Sequence, residues 1–112
     1  MSNITTHVLD LARGVPAAGV SVTLAHADGA GHFGTVGRAT TDTDGRVRTF
    51  GPAAGRVGRY RLTFRVGEYF GAQVDACFFP EVQLLFDVHA LDQRLHVPLL
   101  ISPFGYSTYR GS

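Results

Sequence analysis

The side chains with the most chemical capacity in this 112-residue chain are five histidines, a scatter of arginines and a polar tail. His26, His32 and His89 fall in or beside loop-like segments and read as solvated surface residues. His7 and His96 differ. Both lie inside strand-like runs, on the phase opposite the apolar residues, so both face something other than a core. Imidazole titrates near neutral pH and can take a proton from water without a metal. A guanidinium stays charged, can fork onto two acceptors and can stabilise an oxyanion. Arg46 follows the turn signal Asp44-Gly45, where a strand end can hold a long side chain still. The tail adds Tyr109, Arg110 and the hydroxyl and carboxylate of Ser112. Taken singly, a strand histidine is more often structural than catalytic, and a polar hairpin is the plain reading of the tail.

The elements that must position these groups are short strands. Residues 95–112, LHVPLLISPFGYSTYRGS, form two strand-like runs around the turn signal Ser102-Pro103-Phe104-Gly105. Leu95, Val97, Leu99 and Ile101 share the core phase, which turns His96 outward. Residues 4–11 are a first strand, with Val8 and Thr6 in one phase and His7 and Leu9 in the other. Residues 20–25 and 60–66 alternate in the same way, and Val82, Leu84, Phe86 and Val88 form the cleanest apolar stripe. Glycine- and proline-containing stretches at 12–19, 27–34 and 51–58 read as loops. Only residues 67–76 have helical spacing, through Phe70, Val74 and Cys77, with Gly71 as the weak point. Seven or eight short strands, many turns and at most one short helix predict an all-β sandwich.

Composition closes off other classes. The length predicts one domain, residues 1–112, large enough for a single core. A net charge of +1 leaves no electrostatic footprint for nucleic acid or an anionic membrane. The single cysteine, Cys77, allows no internal disulfide and suits a reducing compartment. No secretory signal core or membrane-spanning run is visible, so a cytoplasmic location is expected. The match Gly29-Ala-Gly31-His-Phe-Gly34 lacks the helix that a dinucleotide site requires. Asp42-Thr-Asp44-Gly45 lacks the closing glutamate of a calcium loop. No strained strand-to-helix elbow surrounds a serine, so a triad using Asp10 or Asp92 is not expected. Cys77, beside Phe78 and Phe79, reads as an inert core thiol. With no cysteine partner and no third histidine at a known spacing, neither a required metal nor a cofactor is expected.

Several segments together resemble one family, the transthyretin-like 5-hydroxyisourate hydrolases. They are ITTHVLD followed by GVPAAGV, TDTDGR, YRLTFRVGEYF with FFPEV after it, and the closing LHVPLLISPFGYSTYRGS. The resemblance covers nearly the whole chain, in order. It implies a transthyretin-like sandwich of two four-stranded sheets with one short helix, assembled as a homotetramer, a dimer of dimers. It implies hydrolysis of a small-molecule substrate, 5-hydroxyisourate, without metal or cofactor. The catalytic set it implies is His7, His96, Arg46 and Ser112. His7 and His96 handle the water and its proton, in an order the resemblance leaves open, and Arg46 binds and polarises the substrate. Tyr109, Arg110, Gly111 and, more weakly, Thr108 are the implied substrate contacts. Ser112 would orient a histidine or the water through its hydroxyl or its carboxylate. One departure is Arg94-Leu95 before His96, where many members carry an aromatic residue; it is expected to alter packing or rim shape. The alternative is a carrier built like transthyretin, binding a small aromatic ligand. The terminal Tyr-Arg-Gly-Ser and the strand histidines argue against it.

Overall fold

Alternation of apolar and polar residues produces most of the strands. The computed structural model describes residues 4–51, 55–71 and 77–111. Strand β1 (Ile4–Asp10) buries Ile4, Thr6, Val8 and Asp10 and turns Thr5, His7 and Leu9 to the other face. β2 (Val15–Pro16), β3 (Ser21–Ala27), β4 (Phe33–Thr40) and β5 (Arg46–Val47) follow. Then come β6 (Gly58–Phe64), helix α1 (Val66–Phe70), β7 (Val82–Val88), β8 (Leu95–Ser102) and β9 (Gly105–Thr108).

The strands form two sheets. One runs β4-β3-β6-β7, antiparallel throughout. The other runs β2-β1-β8-β9, with β5 also paired to β1. β8 lies parallel to β1 and occupies the whole of one edge, from Ile4↔Leu95 to Asp10↔Ile101. β2 and β5 therefore share the other edge, β2 at Leu9 and Asp10, β5 at Thr6 and His7. The described residues thus give the expected sandwich, with four lateral positions per sheet and one position split between two short strands.

The core lies between the sheets. Val8, Leu99 and Ile101 from one meet Val22, Leu24, Tyr60, Leu62 and Phe64 from the other, all essentially inaccessible. Each such side chain contributes on the order of 1.5–3 kcal/mol of burial energy. The buried polar residues Thr6, Thr41 and Asp10 are each satisfied, whereas the Arg61 Nε is buried without a hydrogen-bond partner. Thr6 Oγ1 donates to the Val97 carbonyl (2.6 Å), and Thr41 Oγ1 donates to Ala17 O (2.7 Å) while accepting from Val20 N (2.8 Å). Asp10 accepts from the Ala12 and Arg13 amides and from the Tyr69 hydroxyl at 2.7 Å, which ties α1 to the end of β1.

Two expectations shift. The helix is shorter than 67–76: Gly71 turns to φ 90° and sends its N–H back to the Gly67 and Glu68 carbonyls. Residues 72–76 lie outside the described part. The expected loop at 27–34 narrows as well, because β4 starts at Phe33 and Asp28 Oδ1 caps the Ala30 and His32 amides. No described helix is long and apolar enough to cross a membrane.

The turn before β5 is the local device that aims Arg46. Asp42 Oδ1 accepts from the Asp44 and Arg46 amides at 2.9 and 3.0 Å. These backbone bonds hold the Asp42 carboxyl below its ordinary range, the one from Arg46 most strongly. Gly45 sits at φ 75°, and a Cβ there would come within 2.4 Å of the Val8 carbonyl oxygen. Gly45→Ala is therefore expected to cost about 2 kcal/mol or more. Urea denaturation of the two proteins checks this; equal midpoints would refute the steric account.

Candidate active site

Strand register assembles the site before any side-chain contact is considered. His7 on β1 stands opposite Arg46 on β5, and Thr5 on β1 stands opposite His96 on β8. Opposed residues in a ladder share a face. Because Ile4, Thr6 and Val8 fill the core, Thr5, His7, Arg46 and His96 all lie on the outward face. Thr5 and His7 are two residues apart on one strand, about 7 Å. The group therefore spans no more than a small heterocycle.

Each imidazole is held by one nitrogen. His7 Nε2 lies 2.9 Å from the Asp44 carbonyl oxygen. A carbonyl only accepts, so Nε2 carries the proton and Nδ1 is the free position. His96 Nδ1 lies 2.8 Å from Thr5 Oγ1, which leaves Nε2 free. The tail then closes over His96: Gly111 N donates to the His96 carbonyl at 2.7 Å. A Cβ on Gly111 would fall 2.6 Å from His96 Cδ2, so only glycine lets the backbone lie flat against the ring. Half-burial pushes the His96 pKa down, and the Arg46 guanidinium and the neighbouring His7 push it the same way. His96 is therefore biased towards the neutral imidazole, the form that can accept a proton.

Two clefts meet at His96. One, of about 320 Å³, is lined by Thr5, Thr6, Arg46, Arg48, Arg94 and His96 together with Val47. The other, of about 350 Å³, runs between β7 and the tail, with Leu84, Phe86, His96, Tyr109 and Arg110 among its walls. Register and the tail bridge thus put His7, Arg46, His96 and Gly111 on one face, although His7 lines neither cleft. The structure places Tyr109 and Arg110 in the second cleft, where both are exposed. Thr108 Oγ1 donates to the Pro98 carbonyl at 2.7 Å and pins the start of the tail to β8. Ser112 lies outside the described residues.

Three contributors escaped sequence reasoning: Thr5, the Asp44 carbonyl and Arg94. Thr5 and His96 are 91 positions apart, and only the parallel register joins them. Of the other candidates weighed, Asp10 is committed to Tyr69 and the next turn, and Cys77 donates to the Phe79 carbonyl at 3.4 Å. Among the described residues no three His, Cys, Asp or Glu side chains converge as a metal-binding group would.

These features define a class: a two-sheet sandwich with a paired-histidine and arginine centre on one open face. The comparisons are more specific. The family model "HIUase/Transthyretin family" matches residues 4–111, and the chain belongs to that family. A 5-hydroxyisourate hydrolase from Caulobacter vibrioides is 47% identical, with both chains covered in full. The solved Klebsiella pneumoniae 5-hydroxyisourate hydrolase superposes with a TM-score of 0.82 at 37% identity, covering 100% of this chain and 94% of that one. The transthyretin of Sparus aurata superposes with a TM-score of 0.88, covering 99% and 97%, but at 23% identity it speaks for the fold alone.

The direction of the His96 shift gives a titration test. Its folded pKa lies below the ordinary value of about 6.5, so between the two the unfolded chain binds more protons. The stability this residue allows is present above about pH 6.5 and is lost as the pH falls from there towards the folded value. In an NMR titration, His96 is expected to have a midpoint below that of a free imidazole. Arg46→Gln should raise the midpoint by removing a neighbouring cation. A midpoint unmoved by that change would show that Arg46 takes no part in the shift.

Proposed function

We propose that this protein is a hydrolase that opens 5-hydroxyisourate to 2-oxo-4-hydroxy-4-carboxy-5-ureidoimidazoline in urate degradation. The observation that carries the reading is the outward-facing set His7, Arg46 and His96, in a chain 47% identical to a protein named 5-hydroxyisourate hydrolase. The transthyretin likeness supports the carrier alternative less well, since its 23% identity bears only on fold.

In the proposed reaction, His96 is the general base. Thr5 Oγ1 accepts from Nδ1–H, so Nε2 presents its lone pair to a water molecule. The water oxygen attacks a ring carbonyl, and the Arg46 guanidinium stabilises the oxyanion that develops. The ring C–N bond then breaks, and the departing nitrogen takes up a proton. His7, with Nε2 fixed on the Asp44 carbonyl, relays that proton through Nδ1. Gly111 keeps the tail against the His96 ring. Tyr109, Arg110 and Ser112 close the site around the substrate, with Thr108 anchoring the tail to β8.

The same proposal includes a homotetramer, a dimer of dimers, and a cytoplasmic location. What supports assembly is the exposure of Tyr109 and Arg110, which a single chain leaves open in the cleft beside His96. The single cysteine suits a reducing compartment.

Freshly generated 5-hydroxyisourate, followed by absorbance, should decay faster with the protein than without it. No acceleration would sink the assignment. His7→Ala and His96→Ala should each lower the rate by about 100-fold or more. Light scattering should report four subunits in the active species; a fully active monomer would overturn the assembly.

A further inference from the structure

The cleft beside His96 holds more positive charge than the proposed chemistry uses. Arg46, Arg48 and Arg94 all line it. Arg48 is already offset, with its guanidinium 3.7 Å from Asp42 and 3.6 Å from Asp44. Arg46 and Arg94 have no carboxylate within ion-pair distance among the described residues. They approach from opposite sides of β1, Arg46 on β5 and Arg94 in the connection entering β8. Thr5 and Thr6 lie between them on β1, at a cleft of about 320 Å³. That volume holds a small molecule and little more. Two guanidiniums that line one small cleft, with no carboxylate at ion-pair distance among the described residues, are suited to a ligand that brings its own negative charge.

Hydrolysis of a cyclic amide creates that charge. The ring C–N bond breaks and a C–O bond to water forms. One proton goes to the departing nitrogen, and the new acid gives its other proton to solvent at neutral pH. The product therefore carries a carboxylate that the substrate lacks.

We propose that Arg94, together with Arg46, forms a carboxylate-binding subsite that holds small ureido carboxylates, the product class of the reaction. The identity of the product rests on the proposed function; the binding of the carboxylate does not. Arg46 serves both stages, first facing the oxyanion and then the carboxylate. Arg94 meets only the second charge. Product and its analogues thus compete with substrate, and competition weakens as salt screens the guanidiniums.

The test uses N-carbamoylglycine, a stable ureido carboxylate, titrated into the full-length protein at fixed ionic strength. Binding is followed through the His96 ring signals in NMR, and competition through turnover of 5-hydroxyisourate. The expected result is saturable binding that perturbs His96 and inhibits competitively. Arg94→Gln should weaken it about three- to fivefold, the upper part of the scale of one solvent-accessible charged contact. Arg94→Lys should recover part of the loss. Arg38→Gln, the same change of charge on the other sheet, should leave binding within about twofold. Equal binding by wild type and Arg94→Gln, or saturable binding that leaves His96 untouched, would overturn the subsite. A protein that binds N-carbamoylglycine through Arg94 yet fails to accelerate 5-hydroxyisourate decay would keep the subsite and remove the catalytic assignment. The converse result would do the opposite.

Discussion

The parallel pairing of β1 with β8 is the constraint on which the rest depends. Seven consecutive pairs, Ile4↔Leu95 through Asp10↔Ile101, lock the two strands together. A slip of one residue would reverse the faces and send either the histidines or the core residues to the wrong side. The apolar phase makes such a slip expensive, because Ile4, Val8, Leu99 and Ile101 are all buried to 1% exposure or less. Core packing thus fixes the distance and orientation of the functional face. Thr5 meets His96 for the same reason that Val8 meets Leu99.

Charge and burial act on the resulting face in the same direction. His96 is half-buried and sits near the Arg46 guanidinium and the His7 ring, and these effects disfavour a second proton on it. Arg46 is kept close by a turn whose own amides are tied to Asp42. The Arg46 guanidinium therefore favours the unprotonated His96 ring. It does so while lining the same open cleft as that ring.

Much of this was legible in the chain, and the remainder has a physical cause. The phase of residues 95–101 turned His96 away from the core, and the structure agrees at Leu95, Leu99 and Ile101. Asp44-Gly45 read correctly as the turn that precedes Arg46. β4 was legible only in part, because Gly34 and Gly37 resemble loop residues. The backbone instead uses Gly37 to pass within contact of Phe50, where a Cβ would lie 2.4 Å from its carbonyl oxygen. Thr5 left no local signal, and Arg94 showed only as a departure from the family pattern. Their importance arises from a pairing across some ninety residues, and period-two patterns carry no information about partners. The family resemblance pointed to His7, Arg46 and His96 but not to what holds them in place.

The His96 ring is a shared wall, with the arginine cleft on one side and the β7–tail groove on the other. Any molecule lodged in either space changes the dielectric surroundings and hydration of the same imidazole. Occupants of the two spaces therefore cannot be thermodynamically independent. A compound library screened against the groove would also be screened, unintentionally, for modulators of the neighbouring basic nitrogen.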